Sequence, residues 1–289
     1  MTTLDVLNAA SPADFTAALA EVFEHAPWVA AQAAAARPFP TVTALHAAMF
    51  AAVEGAPVEE QVRFLCGHPE LAGAAARRGT MAAFSVQEQA SLGLDGLDDA
   101  GFDAMNRGYR ARFGIPFILC IRRHGRASLL RQFQHRLGGT PDGERAAALR
   151  EVFLITRLRI AAQVDGPGMP EVNGRLSTHV LNTTLAQPGA GIPVSLYSLD
   201  GAAAALLTKG VTNDDGRTDA PLLYGAPLRI GEYELRFQVA AYFAQVGLPQ
   251  SDPPFLDTIP VRFSISEPEA HYHVPLLVSP GTYTTYRGS

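Results

Sequence analysis

Asp165-Gly166-Pro167-Gly168-Met169-Pro170 divides this sequence into two parts of different grammar. Glycine and proline at such density break regular structure, so the stretch reads as a linker. Before it, Thr140 and Pro141 open a helix whose apolar face runs through Leu149, Val152, Phe153, Thr156, Ile160 and Val164. After it the period is two. Tyr233, Leu235, Phe237 and Val239 alternate with Glu232, Glu234, Arg236 and Gln238, and Val261, Phe263 and Ile265 alternate with Arg262 and Ser264. The expectation is two domains: an N-terminal all-α domain over residues 1–164, a linker over 165–174, and a C-terminal all-β antiparallel sandwich over 175–289. A chain of 289 residues is long enough for both.

Further from the linker the same signals recur. Ser11 followed by Pro12 marks a helix start, and Phe15, Ala18, Leu19, Val22 and Phe23 repeat at helical spacing. Similar stretches run over 43–53, 59–65, 97–113 and 127–137. Gly114 ends one of them, and the apolar run Ile115 to Ile121 reads as a buried extended segment. Asn213-Asp214-Asp215-Gly216 reads as a turn in the second half.

The composition excludes several classes of function. Hydrophobic residues make up 47% of the chain and charged residues 18%, which supports packed cores and not disorder. A net charge of −5 argues against nucleic-acid or anionic-membrane binding. Arg122, Arg123 and Arg126 read as a solvated helix-entry face, and His124 and His135 as part of an exposed basic region. Cys66 and Cys120 alone give neither a disulfide framework nor a four-cysteine zinc site. No signal peptide, membrane-spanning run or peroxisomal tripeptide is visible, so a cytoplasmic protein is expected.

Two constellations carry chemistry. In the first half, Pro69 suits the first position of a helix and would place His68 at its N-cap, where the helix dipole disfavours an imidazolium. A neutral His68 could accept a proton from a hydroxyl, or could merely cap. Ser85-x-x-Glu88 fits a capping box as well as a site. Arg157 and Arg159 flank the apolar stripe of the last helix on opposite sides, and spacing does not choose between them. Phe23-Glu24-His25-Ala26-Pro27-Trp28-Val29, Gly67-His68-Pro69-Glu70-Leu71-Ala72-Gly73, Ser85-Val86-Gln87-Glu88-Gln89, Phe113-Gly114-Ile115-Pro116-Phe117-Ile118 and Arg157-Leu158-Arg159 occur in that order. With these motifs residues 5–164 closely resemble the 2-oxo-4-hydroxy-4-carboxy-5-ureidoimidazoline (OHCU) decarboxylases. The resemblance implies a helical decarboxylase that uses no cofactor. It assigns catalysis to His68, Glu88 and Arg159, and substrate contact to Ser85, Gln89, Pro69, Ile115, Phe117 and Ile118. His25 and Trp28 read as core or interface.

In the second half, Leu176-Ser177-Thr178-His179-Val180-Leu181-Asn182 is followed by Asp215-Gly216-Arg217, by His271-Tyr272-His273-Val274-Pro275-Leu276-Leu277, and by the final Tyr286-Arg287-Gly288-Ser289. Two histidines two residues apart on a strand face the same way, and with His179 they also suit a metal. No acidic or cysteine ligand joins them in a compact pattern, so no metal is expected. Residues 175–289 resemble the 5-hydroxyisourate hydrolases, enzymatic relatives of transthyretin. The resemblance implies a transthyretin-like sandwich with His179, Arg217, His273 and Ser289 catalytic and Tyr286 touching substrate. It also implies a homo-oligomer, dimer or tetramer. A ligand carrier of the same fold would carry rearranged site residues instead. The product of such a hydrolase is the substrate of such a decarboxylase, so the expected partners are the small molecules 5-hydroxyisourate and OHCU.

Overall fold

The computed structural model describes residues 1–71 and 99–288, and the chain divides into two units: Met1–Arg122 with Leu129–Val172, and Arg123–Ser128 with Asn173–Ser289. In the first unit the described helices are α1 (Leu4–Ala9), α2 (Pro12–Leu19), α3 (Pro27–Ala33), α4 (Val42–Glu54), α5 (Val58–Cys66), α6 (Asp99–Phe113), α7 (Arg126–Arg136, which begins in the second unit) and α8 (Pro141–Gln163). Their starts are chemically specified. Ser11 Oγ accepts from the Asp14 amide at 3.2 Å and Thr140 Oγ1 from the Gly143 amide at 3.2 Å, each with proline next in sequence. Such caps contribute about 1 kcal/mol apiece. Residues 115–121 are buried, as expected, and 116–120 form no regular element.

Helix alone does not close this unit. Strand β1 (Thr2–Thr3) pairs in parallel with β2 (Val164–Asp165), because α8 ends on an extended Val164 at φ −117° and ψ 131°. The all-α expectation is corrected by this short ladder. The glycine-proline segment is also no free tether. The amides of Val42 and Thr43 donate to the carbonyls of Pro167 and Gly168 at 2.9 and 3.1 Å, so the segment satisfies donors that the first turn of α4 leaves unpaired. Thr43 Oγ1 donates to Gly168 at 2.8 Å, and Arg157 donates to the Glu171 carbonyl.

The second unit holds two sheets. One orders β11 (Thr282–Thr285), β10 (His271–Ser279), β3 (Gly174–Asn182) and β4 (Gln187–Pro188), with β7 (Leu223–Ala226) also on β3. The other orders β6 (Ala205–Val211), β5 (Pro193–Ser198), β8 (Gly231–Gln238) and β9 (Thr258–Ile265). Leu176, Val180, Leu235, Phe237, Val274 and Leu276 are among the side chains buried in its core. The expectation of purely antiparallel pairing fails at the centre, where β3 and β10 run parallel from Arg175↔His271 to Asn182↔Val278. The strands of the other sheet lie between them in sequence, which lets the chain return in the same direction.

Three details depart from the plain alternation and from the exposed basic region. Val239 does not continue the strand but caps α9 (Ala240–Gln245) in αR geometry. Glu234 is 2% exposed, not solvated, and accepts from Arg236 and Arg262 at 2.6 Å each, which holds its carboxyl below the usual range against the cost of burial. Arg123 donates twice to Glu269 at 2.9 and 2.8 Å, and His124 is buried against Ser128, so this basic stretch is ordered by pairing. Among the described residues no helix is long and apolar enough to cross a membrane.

Candidate functional site

In the helical unit, Glu24, His68, Pro69, Phe117, Ile118 and Arg159 line one cavity. Arg159 projects from α8 and is 4% exposed, and its guanidinium meets the buried Glu24 carboxylate at 3.4 Å. Arg157, two residues earlier, is spent on the Glu171 carbonyl. Packing places Arg159, and not Arg157, in the cavity that His68 lines. Ile115 is buried but does not line the cavity. Ser85, Glu88 and Gln89 lie outside the described residues.

His68 does not occupy the helix N-cap expected from the sequence. Pro69 and Glu70 are not helical; His68 instead follows the C-terminus of α5, where its amide donates to the Leu65 carbonyl at 3.1 Å and its Nδ1 to the Phe64 carbonyl at 3.2 Å. The expected N-cap is therefore corrected to the position just past the C-cap Gly67, and the sign of the dipole argument reverses, since a helix C-terminus favours a cation. Burial overrides it. Desolvation pushes the His68 pKa down to about 4, against the opposing influence of Phe64 and Glu24 and with a smaller contribution from Arg159. Donation from Nδ1 fixes the tautomer and leaves Nε2 an acceptor.

Glu24 is the residue that sequence reasoning passed over, although it stands in a quoted motif. It follows the buried pair Val22 and Phe23, and an acid at 4% exposure there needs a cation. Arg159 supplies it, and the exposed His25 lies 3.7 Å away from the same carboxylate. His25 is thus not a core residue, whereas Trp28 is half-buried against the hydrophobic core.

In the β unit the parallel pairing of β3 and β10 builds the second site. Leu176, Val180, Tyr272, Val274 and Leu276 point into the core. Arg175, Ser177, His179, His271 and His273 alternate with them and share the opposite face. Arg217 bridges to His179, following a turn closed by Gly216 N to Asn213 O at 2.7 Å. Two glycines lie close against two of the catalytic candidates, His273 and His179. A Cβ on Gly288 would meet His273 Cδ2 at 2.7 Å, and one on Gly216, at φ +74°, would meet the Val180 carbonyl at 2.3 Å and His179 Cδ2 at 3.2 Å. The Gly288 amide donates to the His273 carbonyl at 2.8 Å, so the tail runs beside β10.

All three histidines are held below the usual imidazole range. Desolvation is the first cause for each; Arg217 adds to it for His179 and His273, and Arg175 for His271. The His179 ring donates to the Asp215 backbone, while its Nε2 is buried with no partner among the described residues. Ser177 Oγ lies 2.8 Å from His271 Nε2 and 3.0 Å from His273 Nδ1, a contact that reading the motif as text did not reveal. Tyr286 is not brought to the histidines. It is 57% exposed and lines a groove with Arg262, Tyr272 and Arg287. Ser289 lies outside the described residues. Among the described residues no group of three His, Cys, Asp or Glu side chains is placed to hold a metal.

Comparison with known proteins agrees with this division. Residues 8–161 match the family model of OHCU decarboxylase, and residues 176–288 that of the HIUase/Transthyretin family. The 2-oxo-4-hydroxy-4-carboxy-5-ureidoimidazoline decarboxylase of Haloferax volcanii is 36% identical over 162 residues, covering 55% of this chain and 94% of that protein. The 5-hydroxyisourate hydrolase 2 of Rhizobium meliloti is 50% identical over 117 residues, covering 40% of this chain and 98% of that protein. The crystal structure of an (S)-allantoin synthase aligns over 100% of both chains at 34% identity and a TM-score of 0.53. The chain therefore belongs to the OHCU decarboxylase family in its N-terminal half and to the HIUase/transthyretin family in its C-terminal half, and is an enzyme that joins a decarboxylase domain to a hydrolase domain.

Proposed function

We propose that residues 175–289 hydrolyse 5-hydroxyisourate to OHCU and that residues 1–164 decarboxylate OHCU to (S)-allantoin, with 165–174 joining the two domains. The observation that carries this reading is that each half sets histidine, held below the usual imidazole range, in a site with an arginine: His68 with Arg159, and His179 and His273 with Arg217.

In the hydrolase step, His179 Nε2 and His273 Nε2 face the substrate. One removes a proton from water, whose oxygen attacks the lactam carbonyl, and a histidine then returns a proton to the leaving nitrogen. Arg217 stabilises the oxyanion. Ser289 adds a hydroxyl, and Tyr286 contributes contact as the tail folds over bound substrate. In the decarboxylase step, Arg159 binds the anionic substrate and His68 Nε2 accepts the proton of its hydroxyl. Carbon dioxide leaves, the electron pair delocalises into the conjugated C=N of the ring, and one face is reprotonated. Glu88 opposes the leaving carboxylate. Ser85, Gln89, Pro69, Phe117 and Ile118 shape the pocket, Ile115 supports it from the buried core, and no cofactor takes part. A homo-oligomer, dimer or tetramer, fits a histidine-bearing sheet face that lies away from the core.

The test supplies 5-hydroxyisourate generated by a uricase and follows ultraviolet absorbance and circular dichroism together. Two successive enzyme-dependent phases ending in optically pure (S)-allantoin are expected. Racemic allantoin formed at the rate without enzyme would overturn the reading.

A further inference from the structure

The hydroxyl of Ser177 stands between two imidazoles, 2.8 Å from His271 Nε2 and 3.0 Å from His273 Nδ1. This geometry follows from the parallel register, which sets Ser177 opposite His273 and Arg175 opposite His271. A serine hydroxyl carries one proton and two lone pairs, so it can donate to one ring while accepting from the other. We propose that Ser177 and His271 form a proton relay behind His273, carrying the proton that His273 takes from water out to the solvent-facing His271. The inference rests on the hydrolase reading above.

The steps balance. At rest His273 Nδ1–H donates to Ser177 Oγ, the Ser177 hydroxyl donates to His271 Nε2, and His273 Nε2 holds a lone pair. When that lone pair takes a proton from water, the water oxygen bonds to the lactam carbon. The Nδ1 proton of His273 passes to Ser177 Oγ as the serine proton passes to His271 Nε2. His273 is then neutral with its proton on Nε2, and the positive charge sits on His271. As the C–N bond breaks, its electron pair goes to nitrogen, which takes the Nε2 proton of His273. The relay runs back, and the resting state returns with one water added.

The surroundings favour that direction. His273 faces Arg217, His271, His179 and Arg175, so a positive charge left there meets cations or rings competing for protons on every side. His271 is exposed, and Arg175 is the charged side chain acting on it. Moving the charge one ring outward takes it away from Arg217 and His179, both of which disfavour a proton on His273. Ser177 and His271 thus act through His273 as positioning and relay residues without touching substrate.

The experiment uses the full chain and measures 5-hydroxyisourate hydrolysis against pH and in H2O/D2O mixtures. Ser177→Ala and His271→Gln are each expected to lower kcat by about tenfold to a hundredfold with KM little changed. Both should shift the pH–rate profile, and Ser177→Thr should restore the rate. The dependence of rate on deuterium fraction should be curved for the parent, with more than one proton in flight, and linear for His271→Gln. Thermal melts close to the parent's confirm that the variants fold. Parental kcat and pH profile in Ser177→Ala or His271→Gln would overturn the relay, as would a loss that Ser177→Thr fails to restore. If the parent hydrolyses 5-hydroxyisourate and His273→Ala does not, such a result strikes the relay alone. If the parent itself is inactive, the hydrolase reading falls and the relay with it.

Discussion

His68 and His46 both have pKa values pushed down from 6.5 to about 4, in each case mainly by burial. Each therefore links stability to pH. Above about 6.5 neither folded nor unfolded chain binds the proton; below it the unfolded chain does and the folded chain does not, so stability is lost as pH falls from 6.5 towards 4. A shift of that size corresponds to roughly 3 kcal/mol per histidine. We expect the helical unit's melting temperature, followed by circular dichroism, to fall across that window. His46→Phe should flatten the slope because it removes the titrating ring, and Thr156 Oγ1, which lies 2.9 Å from His46 Nε2, still donates to the Val152 carbonyl at 2.9 Å. An unchanged slope would show that His46 does not titrate as described. The arginines give a second residue-scale test. Arg159→Gln should slow OHCU decarboxylation by about a hundredfold, the scale on which a preorganised donor to developing charge acts. Arg157→Gln should leave it within about threefold, since Arg157 is committed to a backbone carbonyl. Equal losses in the two variants would contradict the assignment. Sequence could not make this choice, because both arginines flank one stripe and only the packing of α8 buries one of them.

Helix and strand existence was legible in the sequence wherever a long segment kept one period, as in α8 and β9, and wherever a cap was written next to it, as at Ser11 and Thr140. What escaped depends on partners remote in sequence. The parallel pairing of β3 with β10 joins residues about a hundred apart, and it alone reveals that Ser177 meets two histidines. Burial of Glu24 and Glu234 likewise needs the arginines that neutralise them. Glycine and proline mark the stretch read as a linker, but nothing local announces that its carbonyls pair with the first amides of α4. That docking sets where a helical fragment must end. Residues 1–172 should melt higher than residues 1–164, by an amount equivalent to about 1–2 kcal/mol for the lost capping of α4 and the lost Arg157 contact. Fragments of equal stability would show that the segment contributes nothing to the helical unit.

For the whole molecule, the family matches assign one activity to each half, and the chemistry makes the product of one the substrate of the other. The order in the chain is the reverse of the order of reaction, which is no obstacle when the intermediate diffuses. Two single substitutions should then separate the steps, because each site is built from residues of its own unit and sites with no shared partners behave additively. His273→Ala should slow consumption of 5-hydroxyisourate by orders of magnitude, yet decarboxylate OHCU supplied by a separate hydrolase at the parental rate. The most direct measurement is the fate of 5-hydroxyisourate with His68→Ala, read by absorbance and circular dichroism in one sample. The expected result is rapid loss of 5-hydroxyisourate, accumulation of OHCU, and slow appearance of racemic allantoin. Optically pure (S)-allantoin at the parental rate would contradict the central claim that His68 carries the decarboxylase half of a two-step enzyme.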